Sequence, residues 1–160
     1  MNLLLTAFKG HNNSSKVLLD LISSKRGVDE LYLENSFKKC ESQMNYQLDR
    51  KKYDIIFSFD KVADSDQIII ETSAKLDGKS LLTTYSVDVL YQFLKDENYK
   101  VELSKNAGTD LANHIYAVGL ERIARDLLAT QMILLHIPSL DRIDILKLAK
   151  DLSFYFSHLE

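Results

Sequence analysis

At 160 residues, 46% hydrophobic and 27% charged, the chain is long enough for one domain with a sizeable core and has ordinary globular balance. Its formal net charge of −3 carries no basic surplus, which argues against nucleic acid or an anionic membrane as partner. A single cysteine, Cys40, excludes an internal disulfide and a thiolate-rich metal site and suits a reducing compartment.

The opening run Met1–Leu5 has no basic region and is ended by Lys9, too short for a signal peptide or a membrane span, so the expectation is a cytoplasmic protein. Leu3–Phe8 reads as a strand covered on both faces. A polar loop leads to Ser14 or Ser15 as helix cap, with Val17, Leu18, Leu21 and Ile22 on one face. Glu30–Leu33 reads as a strand, and Phe37, Met44 and Leu48 mark a helix that holds Cys40 as a small apolar residue. Asp54–Phe59 and Gln67–Thr72 are strands joined by a loop over Asp60–Asp66. Asp77-Gly78 predicts a hairpin turn, and Leu81–Tyr85 continues the chain in extended form. Ser86 then caps a helix with Val89, Leu90, Phe93 and Leu94 inward, closed by Asn98.

Val101–Leu103 is a short strand, followed by turn residues Asn106 and Gly108 and by Thr109 or Asp110 as cap of a helix through Ile115, Val118, Ile123 and Leu127. The first turn of such a helix presents backbone N–H groups and the positive end of its dipole, where a thiolate or oxyanion is stabilised. Position 112 is therefore placed for a nucleophile, and it holds alanine. Met132–Ile137 is a further strand ended by Pro138, and Ser139 or Asp141 starts a last helix with Ile145, Leu148, Leu152, Tyr155, Phe156 and Leu159 inward. Strands alternating with helices, with no linker or repeat, predict a single three-layer α/β/α domain over residues 1–160 with a mixed, mostly parallel sheet.

Ser104, Ala107-Gly108-Thr109, Asn113-His114 and the later run Met132–Pro138 containing His136 together resemble the pyroglutamyl peptidases, also called pyrrolidone-carboxylate peptidases. There an Ala-Gly-Thr turn leads after two residues into Cys-Asn-His, and an apolar run ending His-aliphatic-Pro follows at a similar interval. The resemblance implies a phosphorylase/hydrolase-like fold and a cysteine peptidase chemistry without cofactor or metal. It assigns position 112 to the nucleophile, here Ala112, and His136 to the base. Asp66 aligns nearest to the glutamate that orients the histidine, with Asp60 and Asp64 as competitors. It places Phe8, Asn13, Asp110 and Leu111 in the binding wall, although the aromatic loop is shortened, the glycine-arginine loop is missing, and a carboxylate at 110 replaces an aromatic or apolar residue.

A methyl group cannot attack a carbonyl, and removing the nucleophile from a triad of this kind costs about 10⁶-fold in turnover, roughly 8 kcal/mol of barrier. The expectation is thus a pyroglutamyl-peptidase-like protein without its nucleophile, binding a peptide terminus or a protein through the remnant cleft. One alternative is an active peptidase carrying an engineered replacement at Ala112; another is a non-catalytic assembly subunit, since the family commonly forms homo-oligomers. His114 and His136 as metal ligands are set aside, because they are not at helix spacing and His114 has a structural use in bonding the turn.

Overall fold

The computed structural model describes residues 1–22 and 28–159. Along the chain come β1 (Leu3–Phe8), α1 (Ser14–Ile22), β2 (Val28–Leu33), α2 (Phe37–Arg50), β3 (Ile55–Val62) and β4 (Ile68–Glu71). A hairpin of β5 (Ser73–Leu76) and β6 (Lys79–Leu82) follows, then α3 (Val87–Asp96), β7 (Val101–Ser104), α4 (Leu111–Asp126), β8 (Gln131–Pro138) and α5 (Ile145–Ser157). The central sheet has six strands in the order β2-β1-β3-β8-β4-β7. Every pairing is parallel except β4 with β8, so the sheet is mixed and mostly parallel.

Side-chain alternation along the strands builds two cores. Leu3, Leu5, Phe57, Phe59, Ile133 and Leu135 face a layer formed by α1, α3 and α5. Leu4, Phe8, Ile56, Met132 and Leu134 face α2 and α4, against Met44, Leu48, Ile115, Tyr116 and Leu120. Strands buried on both faces explain why β1, β3 and β8 read as near-continuous apolar runs. The result is a three-layer α/β/α domain in which no described helix is long and apolar enough to cross a membrane.

Several local features differ from the sequence reading. Asn13, rather than Ser14 or Ser15, caps α1: its Oδ1 accepts from the Ser15 N–H at 3.0 Å and its carbonyl from the Val17 N–H at 3.0 Å. Leu18, Leu19 and Ile22 form the buried face of α1, and Leu21 is exposed. Val89 likewise points to solvent, leaving Leu90 and Leu94 to anchor α3. α5 begins later than Ser139 or Asp141, with Asp144 accepting from the Lys147 N–H at 3.1 Å. β3 does not stop at Phe59 but runs on to Val62, because β8 pairs with it as far as Pro138. Asp60 therefore belongs to a strand, not a loop.

Candidate functional site

The turn into α4 is held by short-range bonds that its sequence dictates. The Ser104 hydroxyl accepts from the Asn106 N–H at 3.0 Å, and Asn106 Oδ1 accepts from the Gly108 N–H at 3.2 Å. Gly108 takes a φ of +84°, a backbone shape that a side chain would strain. The chain then enters α4 with Asp110 at the N-cap position, yet the Asp110 side chain makes no cap bond there. Ala112 lies in the first turn, buried, at the place where the helix dipole would support an anion.

A cleft of about 490 Å³ opens beside this turn. Ala112, Leu111 and Asp110 form its α4 side, Phe8 and Asn13 its β1–α1 side, and Asp60 lies on the β3 side. The structure thus brings together Phe8, Asn13, Asp110, Leu111 and Ala112, all singled out in the sequence. Asn35, Phe37 and Lys61 also contribute to the wall and carry no motif that would have marked them.

His136 lies next to this cleft through Asp60. The two residues are direct register partners on β8 and β3, and His136 Nδ1 stands 3.5 Å from Asp60 Oδ2. Its other ring nitrogen, Nε2, stands 3.5 Å from Glu71 Oε1 on β4. Alternation puts all three on the sheet face covered by α2 and α4. Glu71 is almost wholly buried, and burial pushes its carboxyl above the ordinary value, opposed by the nearby Ser104 hydroxyl and His136. Its Oε2 has no hydrogen-bond partner.

Asp66 does not reach His136. The parallel pairing of β4 with β7 carries the residues before Ile68 towards Lys100, and Asp66 forms an exposed ion pair with Lys100 at 2.6 Å. Lys100 holds its carboxyl below the usual range. Asp64 lies 4.0 Å from Arg142 and is fully exposed. Of the three aspartates in this stretch, only Asp60 meets the histidine. Glu71 escaped the sequence reading; its one signal was a carboxylate closing the apolar run Ile68-Ile69-Ile70.

The neighbours of Ala112 have structural uses. Asn113 is buried and clamps the hairpin to α4, accepting from the Lys75 N–H at 3.0 Å and donating to the Lys75 carbonyl at 3.1 Å. Tyr116 donates to the Glu71 carbonyl at 2.8 Å, fixing β4 beneath α4. The His114 side chain does not bond the turn: its ring packs edge-on against Phe37, centroids 5.1 Å apart, and Nε2 points towards Glu41 at 3.8 Å.

The arrangement is an α/β/α sheet with a histidine near the end of a central strand and a cleft over a helix N-terminus. No protein-family model matches the chain, and no curated protein matches it. Solved structures do. The chain superposes on pyroglutamyl peptidase I from Bacillus amyloliquefaciens with a TM-score of 0.82 at 18% identity, covering 95% of this chain and 92% of that one. Pyrrolidone carboxyl peptidases from Fervidobacterium islandicum and Thermococcus litoralis each give 0.84, at 16% and 15% identity. These matches cover 98% of this chain and 96% and 91% of theirs. The fold is that of the pyroglutamyl, or pyrrolidone carboxyl, peptidases.

Proposed function

We infer that the chain is a pyroglutamyl-peptidase-like protein that has lost catalysis and uses the remnant cleft to hold a peptide terminus. The observation that carries this reading is the environment of His136. A histidine that activates a nucleophile needs one ring nitrogen facing that nucleophile and the other facing an orienting group. Here both nitrogens face carboxylate oxygens at 3.5 Å, and position 112 offers only a methyl group. The sole thiol cannot take over, because Cys40 is fully buried in the core under α2 and burial pushes its pKa up. A histidine held between two carboxylates, beside a cleft with no nucleophile, supports holding a ligand rather than cutting it.

A fluorogenic pyroglutamyl amide assayed with the chain and with Ala112→Cys tests this. Neither protein is expected to turn over, because restoring the thiol leaves His136 between Asp60 and Glu71. Turnover by Ala112→Cys at a rate of about 10⁶-fold over the alanine form would mean that position 112 is the only lesion, and would overturn the reading.

A further inference from the structure

We propose that Asp60, His136 and Glu71 form a pH-sensitive switch: when the cluster loses a proton, the imidazole N–H is given to Glu71 instead of Asp60, and Asp60 becomes an unmatched anion in the cleft. The switch goes beyond the binding reading above and works without a ligand. The cluster runs from the interior outwards, the side chains of Glu71, His136 and Asp60 being 3%, 13% and 27% exposed. Of the three, Asp60 lines the cleft. His136 joins them, with Nδ1 3.5 Å from Asp60 Oδ2 and Nε2 3.5 Å from Glu71 Oε1.

Two exchangeable protons satisfy both contacts. One sits on Nδ1 towards Asp60, and the other lies between Nε2 and Glu71, on the nitrogen or on the carboxyl. Those two placements hold the same protons, so the next loss belongs to the pair rather than to either residue. With one proton left, a neutral imidazole can donate to one carboxylate only, and its bare nitrogen faces the other. Glu71 has the stronger claim. Its Oε2 lies out of reach of solvent without a hydrogen-bond partner, so an ionised Glu71 without the Nε2 proton would be a poorly compensated buried charge. Asp60 is solvated from the cleft and bears the loss at lower cost. The released proton leaves to water, and only N–H and O–H bonds change.

The surroundings leave the choice to these three groups. β3 contributes Asp60 and β4 Glu71, while β7 brings the Ser104 hydroxyl and Glu102, whose charge adds to the repulsion on Glu71. α4 covers this face with Ala112, Ile115 and Tyr116, and burial keeps the Tyr116 phenol protonated. α2 turns Cys40 and Met44 to the same core, and burial pushes the Cys40 thiol up as well. His114 lies towards Phe37 and Glu41. The other charged side chains lining the cleft are Asp110 and Lys61, so the switched state sets two anions against one cation.

NMR of the full chain, labelled with nitrogen-15 at histidine and titrated from about pH 4 to 9, tests the proposal. At the alkaline end His136 is expected to carry its proton on Nε2 with Nδ1 bare, and the Ala112 methyl signal is expected to move in the same step. Glu71→Gln should abolish the change, because a neutral amide does not compete with the Asp60 charge and Nδ1–H persists. A wild-type His136 that keeps Nδ1–H at the alkaline end would overturn the proposal, and that measurement stands even if the variant fails to fold. So would a switch to Nε2–H that survives in Glu71→Gln. An Ala112 signal that stays still would show that the cleft does not feel the cluster, which sinks the switch as well. His114 packs on Phe37 of the wall and is the other imidazole near the cleft. If His114→Asn removes the Ala112 movement, the source is His114 and the proposal falls. None of these outcomes depends on whether the cleft holds a peptide terminus.

Discussion

At the residue scale, the decisive group is Glu71. A carboxylate enclosed on the α2/α4 face, with one oxygen unpartnered and the other 3.5 Å from His136, holds its proton more tightly in the folded chain than in the unfolded one. Folding therefore takes up a proton above the ordinary glutamate value, and stability falls as the pH rises from there through the raised folded value. Glu71→Gln removes the charge and keeps the shape. Thermal unfolding across pH 4 to 8 should show the wild-type decline flattened in Glu71→Gln, which gains about 1–3 kcal/mol at neutral pH from the relieved desolvation. An unchanged slope would mean that Glu71 stays ionised, satisfied by His136. The same scale shows why the alanine at 112 was legible and the histidine network was not. A missing thiol at 112 is read from one residue, whereas Asp60 and Glu71 lie on different strands and both reach His136 only because β8 is inserted between β3 and β4.

At the element scale, the β5–β6 hairpin is the part that its own sequence supports least. It is a two-stranded sheet on its own, turned by Asp77 and Gly78 at φ +50° and +77°. The buried Asn113 amide ties it to α4 by imitating a strand edge against Lys75. Asn113→Ala should cost about 1–3 kcal/mol in chemical denaturation, since it leaves two backbone groups of Lys75 without partners. Amide exchange should rise in β5 and β6 while α4 stays protected; uniform loosening would show that Asn113 supports the helix instead. In the sequence, Asn113 stood out as part of a motif beside a nucleophile position. Its observed work is structural. The helix faces of α1 and α3 were misread at Leu21 and Val89 because apolar spacing counts residues and not neighbours: both lie one position off the line of contact with the sheet.

At the scale of the whole molecule, two cores share one sheet. Phe57 and Phe59 belong to the core under α1, α3 and α5, while Ile56, next to Phe57 on the same strand, belongs to the core under α2 and α4. A strand cannot leave one core without leaving the other, so the domain should unfold as one unit. The chain has eight tyrosines and no tryptophan. Urea unfolding followed by tyrosine fluorescence and by far-ultraviolet dichroism should therefore give coincident midpoints; separated ones would show that the two helical layers come apart independently.

Residue order alone makes this a layered α/β domain, since apolar strand runs and amphipathic helices alternate with short punctuated connections. It also determined that position 112 cannot attack a carbonyl, because that depends on one side chain alone. Which acids meet His136, and which residues line the cleft, follow from tertiary packing. Along the chain Asp66 lies nearest a strand start, yet the pairing of β4 with β7 commits it to Lys100. Register between strands distant in sequence, and not order along the chain, places Asp60 and Glu71 on either side of the imidazole.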